Sequence, residues 1–210
     1  MIIGITGGIC SGKTSVIREI KKIFNTRKTN RIGIYNDFKL KFIDADKISH
    51  RIILKGTSEY KKILRIFGRE ILNKNKQINR KKLGKIIFGN LQKRKLLEKI
   101  MHPTIIKEIK TKINKYKNRG YNVILDAPLL YETNLTGIVD KVVVVWVSKK
   151  TQIKRLMERD KISYEEILMK INSQIPLDYK RKLADYVINN NKQFKFTKKQ
   201  VKSIFTQILN

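Results

Sequence analysis

An apolar, strand-like run, IIGIT at residues 2–6, passes without a break into GGICSGKT at 7–14. No other stretch constrains the fold as tightly. The spacing Gly7-x4-Gly12-Lys13-Thr14 is that of a phosphate-binding loop. Glycines let consecutive backbone N–H groups turn inward around an anion, and the following helix adds its positive end. From Thr14 to Phe24 the residues Val16, Ile17, Ile20 and Ile23 recur at helical spacing. The loop therefore has a strand before it and an amphipathic helix after it, the context in which this motif binds phosphate. There Lys13 would reach the β- and γ-phosphates of a nucleotide, and the Thr14 hydroxyl would ligate Mg²⁺. Cys10 reads either as a thiol activated by a helix N-terminus or as a small residue that fits a tight loop.

Further strands are expected at Leu40 to Ile43, in YNVILDAP, in KVVVVWV at 141–147 and in ADYVINN at 184–190. KVVVVWV is apolar enough to be buried on both faces, as in parallel sheets, and Trp146 within it reads as core. Residues 25–36 read as a polar loop. Ile48 to about Asn118 reads as mostly helical, broken near 55–57, 73–79, 89–90 and at His102-Pro103, with Gly120 closing the last helix. Thr151 to Asp160 and Ser163 to Ile171 read as helices, the second opened by the capping box Ser163-Tyr164-Glu165-Glu166. A C-terminal helix ends the chain. This alternation predicts an α/β fold: a five-stranded parallel sheet flanked by helices, with a helical insert and a helical lid. Ligands of such sheets bind beyond the carboxyl ends of the strands. The glycine loop, Asp44 with Asp46, and Asp126 follow the first, second and third strands there.

A chain of 210 residues suits one such domain with inserted subdomains. The formal net charge of +31 invites a nucleic-acid reading. However, lysines are spread along the whole chain, without a basic tail or a recognised RNA motif, so no specific nucleic-acid partner is expected. A single cysteine excludes an internal disulfide framework. No signal peptide is visible, and Val142 to Val147 is too short to span a bilayer. A soluble, cytoplasmic protein is expected, monomeric or weakly self-associating.

A phosphate loop alone does not separate a kinase from a GTPase or a motor. No guanine-reading Asn-Lys-x-Asp follows the fourth strand. A small-molecule kinase needs a carboxylate near the acceptor hydroxyl, an acceptor-binding insert and a basic lid. Asp44 and Asp46, the stretch from 55 to 100, and Arg155 with Arg159 at i and i+4 supply all three.

The segments ITGGICSGKT, IDADKISH, INRKKLGKIIF, MHPTI, LDAPLLYE, TQIKRLMERD, SQIP and ADYVINN, in this order through nearly the whole chain, resemble the dephospho-coenzyme A kinase family. The resemblance implies transfer of the γ-phosphoryl of ATP to the 3′-hydroxyl of the dephospho-CoA ribose. It matches Asp46 to the catalytic carboxylate, Lys13 to the phosphate clamp and Arg155 to the lid arginine. Cys10, Ser11, Gly12, Lys13, Thr14 and Ser15 match the ATP loop. It implies a core of 1–54, 101–150 and 184–210, a coenzyme A-binding insert of 55–100 and a lid of 151–183. Asp44, Asp126, His50, His102, Arg80 and Arg159 are candidate substrate contacts. Each has a structural alternative, such as a packed helix histidine for His50, a cap at a helix start for His102 and a partner of nearby acids for Arg159. The chain departs from the family pattern at Cys10, at Lys170 where arginine is usual, at Asn190 to Lys192, and in a longer stretch at 25–39. Two other readings stay open: a kinase with a different acceptor, and an RNA-binding protein with ATP as a switch ligand.

Overall fold

Five strands form one sheet in the computed structural model, which describes residues 1–24, 39–88 and 90–209. They are β1 (Ile2–Gly7), β2 (Leu40–Asp44), β3 (Asn122–Asp126), β4 (Lys141–Trp146) and β5 (Tyr186–Asn189), in the order β2-β3-β1-β4-β5. The pairings run parallel, with Ile3 opposite Ile124, Ile5 opposite Val143 and Val145 opposite Ile188. This is the five-stranded parallel sheet that the sequence predicts. β1 is buried along its whole length and β4 from Val142 to Val145, and four of the six residues in each are β-branched, as suits strands buried on both faces. The chain leaves β1 toward β2 on one side, then crosses from β3 to β4 on the other. The winding direction thus reverses at β1, where such sheets bind ligands.

The helices are α1 (Lys13–Phe24), α2 (Ala45–Ile52), α3 (Ser58–Phe67), α4 (Arg80–Phe88), α5 (Leu91–Lys117), α6 (Lys149–Asp160), α7 (Tyr164–Asn172), α8 (Leu177–Lys182) and α9 (Phe194–Leu209). Several starts are set by side-chain caps that accept an otherwise unpaired N–H. Thr57 caps α3, Ser148 caps α6, and Ser163 caps α7 at the expected box. The main core lies where Val16, Ile17 and Ile20 of α1 and Val201 and Phe205 of α9 meet Ile3, Ile5, Val143 and Val145 of the sheet.

Two compact units are present. One comprises Met1–Ile43 with Lys112–Asn210 and the other Asp44–Thr111. Within the smaller unit, the buried Glu59 accepts from Thr104 Oγ1 at 2.8 Å and Ser58 Oγ at 2.7 Å. Tyr60 Oη donates to the Lys76 carbonyl.

Two expectations are corrected. The helix break at His102-Pro103 is absent, since Pro103 lies inside α5. A proline removes one helical hydrogen bond. The 27-residue helix runs through the proline, with Leu97, Ile109 and Ile113 buried along its length. His102 is therefore a half-buried mid-helix residue, not a residue at a helix start. Trp146 is not core: it is only partly buried, its indole N–H donates to Asp178 at 2.7 Å, and the Arg181 guanidinium lies 4.6 Å from its ring centre. As the last residue of β4 it is past the layer that buries Val142 to Val145. The loop expected at 25–36 and the long stretch at 25–39 fall, except for Lys39, outside the described residues, as does Gly89.

Candidate active site

The turn between β1 and α1 closes through Ser11 N–H to the Gly8 carbonyl at 3.1 Å. The Gly12 carbonyl then accepts from Ser15 and Val16 N–H, starting the helix. Cys10 and Gly12 both have positive φ, 57° and 87°. Alternation of ordinary and left-handed residues curls a backbone into an anion-binding concavity. Glycine is required at position 12, because a Cβ there would sit 2.1 Å from the Asn190 amide nitrogen. The first N–H groups of α1 have no intrahelical acceptor, by the geometry of any helix start.

Lys13 leaves this turn and forms an ion pair with Asp126, the last residue of β3. Both side chains are largely buried. Two residues singled out separately in the sequence are thus brought together. Thr14, one residue later, is exposed.

Three successive carbonyls of the loop are held by side chains from elsewhere in the same unit. Gln152 Nε2 donates to Ile9 O at 2.9 Å, Arg155 Nη1 to Cys10 O at 3.4 Å, and Asn190 Nδ2 to Ser11 O at 2.8 Å. Arg155 also donates through Nη2 to the Asn190 carbonyl at 2.8 Å. Because a peptide is planar, a carbonyl held on one side turns the next N–H to the other. The N–H groups of Cys10 and Gly12 are thereby directed away from these anchors.

Arg159, one turn beyond Arg155 on α6, pairs instead with Asp160, Nε to Oδ1 at 2.6 Å. Lys170 of α7 binds the other oxygen of the same carboxylate at 2.8 Å. The two cations hold the Asp160 carboxyl far below the usual carboxylate range. Lys170 thus has a defined partner in place of the arginine usual in the family pattern. Burial pushes the Cys10 thiol up, outweighing the opposing effect of Arg159. This favours the small-residue reading of Cys10 over that of an activated thiol.

In the smaller unit, Asp44 caps α2 by accepting from Lys47 N–H at 2.9 Å. Asp46, in the first turn, is exposed, and among the described residues its carboxylate makes no hydrogen bond or ion pair. One turn later, His50 Nδ1 lies 3.2 Å from Arg80 Nη1. Arginine can only donate, so Nδ1 is the acceptor and Nε2 carries the proton. Burial first, then the Arg80 charge, holds the His50 imidazole below its ordinary value, with Asp46 and Asp44 partly opposing. His102 is likewise lowered, chiefly by burial.

Sequence reasoning missed the anchoring residues. Gln152 and Asn190 are buried, and Gln174 Oε1 accepts from Ile9 N–H at 3.0 Å. It also missed Lys180, fully buried and bound to Glu132. The only signal for the three amides was their place inside TQIKRLMERD, SQIP and ADYVINN, and Lys180 lies in none of the family-like segments, although its partner Glu132 ends LDAPLLYE.

A family model described as Dephospho-CoA kinase matches residues 1–195. A dephospho-CoA kinase of Carboxydothermus hydrogenoformans is 41% identical over 204 residues, covering 97% of this chain and 92% of that protein. One of Bacillus thuringiensis subsp. konkukian is 40% identical over 205 residues, 97% and 95% of the two chains. The solved dephospho-CoA kinase from Campylobacter jejuni superimposes with a TM-score of 0.68 at 29% identity, covering 99% of this chain and 96% of its own. The family model covers residues 1–195 and these relatives nearly the whole chain, on a parallel sheet that carries a glycine-rich loop after its first strand, and the chain belongs to the dephospho-CoA kinase family.

Proposed function

We propose that this chain transfers the γ-phosphoryl group of ATP to the 3′-hydroxyl of the dephospho-CoA ribose, giving coenzyme A and ADP. The observation that carries this reading is the curled loop of residues 7–14, with Lys13 at its exit on Asp126. ATP phosphates enter the concavity. Lys13 exchanges its carboxylate partner for phosphate oxygens, and Arg155, already on the loop, stabilises charge on the transferring group. Phosphoryl transfer asks for positioning and charge neutralisation more than for covalent chemistry. Asp46 orients the acceptor hydroxyl and takes its proton, a role that suits an exposed carboxylate that makes no hydrogen bond or ion pair among the described residues. Asp44, His50, Arg80, His102, Asp126 and Arg159 are the candidate contacts around the two substrates. Arg159 reaches a phosphate only by loosening its pair with Asp160.

Hard oxygen donors suit a divalent cation. The hydroxyl of Thr14, an exposed residue at the start of α1, suits Mg²⁺. Among the described residues no group of three or more histidine, cysteine or acidic side chains could hold a metal; Thr14 would hold the ion together with the nucleotide that brings it. Mg²⁺, when bound, would supply positive charge to offset that of the phosphates.

Residues 55–100 act as the acceptor-binding insert and 151–183 as the lid, with the remainder as core. The compact unit Asp44–Thr111, built from α2 to α5, supports the first assignment. No helix among the described residues is long and apolar enough to cross a membrane. We place the reaction in the cytoplasm, without a specific nucleic-acid partner, in a monomer or weak homo-oligomer.

The test is coupled ADP release with Mg-ATP, with and without dephospho-CoA, for the wild type and Asp46→Asn. Acceptor-dependent turnover that falls by roughly 10²- to 10⁴-fold in the variant is expected. ATP binding without such turnover would overturn the acceptor assignment, and full activity in Asp46→Asn would remove Asp46 as the base.

A further inference from the structure

The peptide groups on either side of Ile9 are gripped by two amides that the reaction itself does not use. The Ile9 carbonyl accepts from Gln152 Nε2 at 2.9 Å, and the Ile9 N–H donates to Gln174 Oε1 at 3.0 Å. Gln152 lies on α6, three residues before Arg155, and is 4% exposed. Gln174 lies between α7 and α8. The fit is close: a Cβ on Gly8 would come within 2.5 Å of the Gln152 amide nitrogen. A carbonyl can only accept and an N–H can only donate, so the backbone fixes the orientation of both amides. Gln152 must give a hydrogen and Gln174 must receive one.

We infer that Gln152 and Gln174 are positioning residues for the phosphate loop: together they set the two peptide planes at Ile9, so the segment carrying Arg155 also sets the shape of the anion cradle. The arrangement has a directional consequence. Gln152, Arg155 and Asn190 hold the carbonyls of Ile9, Cys10 and Ser11 in turn. Releasing the first lets the Ile9–Cys10 peptide rotate, and with it the Cys10 N–H that serves the anion. A shift of α6 and of the segment before α8 would move the arginine and the loop as one body. The inference rests on the proposed ATP site, but not on the identity of the acceptor.

The donor and acceptor roles make it testable with paired substitutions. Gln152→Glu sets a carboxylate against a carbonyl, whereas Gln174→Glu keeps an oxygen for the Ile9 N–H. Both add the same charge beside the same loop, so the difference between them reports the hydrogen bonds. ATP affinity is measured by calorimetry on each full-length variant, with Gln152→Met and Gln174→Met alongside, and thermal unfolding as a check on folding. Gln152→Glu is expected to bind ATP about tenfold more weakly than Gln174→Glu, and both Met variants about tenfold more weakly than the wild type, roughly one lost hydrogen bond each. The KM for dephospho-CoA should stay within about threefold of the wild type. Equal losses in the two Glu variants, or changes confined to the melting temperature with ATP affinity intact, would overturn the inference. Acceptor-dependent turnover of the wild type is scored separately, so failure of the kinase reading is distinguishable from failure of this one.

Discussion

The fully buried ammonium of Lys180 lies 2.7 Å from the Glu132 carboxylate and 3.2 Å from the Pro128 carbonyl. The same Glu132 oxygen accepts from Ile175 N–H at 3.0 Å, and Pro128 O also accepts from Thr6 Oγ1 at 2.9 Å. One lysine therefore ties α8 to the chain that leaves β3, and indirectly to β1. Removing one partner of a buried ion pair leaves the other charge stranded. Lys180→Met should destabilise the fold by about 3–5 kcal/mol, read from chemical denaturation. The double variant with Glu132→Gln should recover part of that loss. A single variant as stable as the wild type would mean that the pair contributes nothing.

Lys13 and Asp126 call for a different measurement, because their pairing belongs to the ligand-free site. Lys13→Met should lower turnover by roughly 10²- to 10³-fold, the range seen when one preorganised donor to a developing charge is removed. The fold should survive, since the main core under the sheet involves neither residue. Turnover within threefold of the wild type would place the phosphate clamp elsewhere.

The pair of His50 with Arg80 carries a pH dependence. Burial and the neighbouring guanidinium lower the His50 pKa from its ordinary 6.5. A lowered folded value means that the neutral imidazole is favoured by the fold. Its contribution is fully present above pH 6.5 and is lost as pH falls through the folded pKa. Protonation also removes the Nδ1 acceptor that Arg80 uses. The KM for dephospho-CoA should therefore rise on acidification below that value in the wild type, and the rise should be absent in His50→Gln. Identical pH profiles for the two proteins would remove His50 from the acceptor site.

How much of this was legible in the sequence depended on how local the determinants are. The phosphate loop, its strand and its helix are contiguous, so glycine spacing and hydrophobic periodicity give them directly. β1, β3 and β4 announce themselves through buried apolar runs rich in valine and isoleucine, and β2 and β5 through shorter apolar stretches. The residues that anchor the loop lie far along the chain: Gln152, Gln174 and Asn190 reach it across 143, 165 and 179 residues. Unlike a helix cap, a side chain that bonds a backbone group far along the chain has no periodic or spacing signature, so no local pattern separates these amides from surface ones. Pro103 failed in the opposite way: a strong local rule predicted a break, and the 27-residue helix continues through it, tied down by buried residues on both sides, Leu97 before and Ile109 and Ile113 after. The lysine-rich composition hid Lys180 among many exposed lysines, because burial is not a property of residue type.

Cys10 supplies the last prediction, in two parts. Its thiol pKa is pushed above the ordinary value of 9.0, chiefly by burial. Alkylation depends on the thiolate, so near pH 8 the folded protein should react with iodoacetamide more slowly than a free cysteine does. Denaturant should restore the ordinary rate. Cys10 is the chain's only cysteine, so the label reads this site alone. The residue also has φ of 57°, where a Cβ costs about 1–2 kcal/mol and glycine nothing. Cys10→Gly should therefore keep ATP turnover and leave stability equal or higher, offsetting the greater freedom of glycine in the unfolded chain. Cys10→Val, β-branched at the same φ, should lose both stability and ATP affinity. If Cys10→Gly abolished turnover instead, the sulfur itself would be part of the chemistry, and the residue would not be a simple space-filler in the loop.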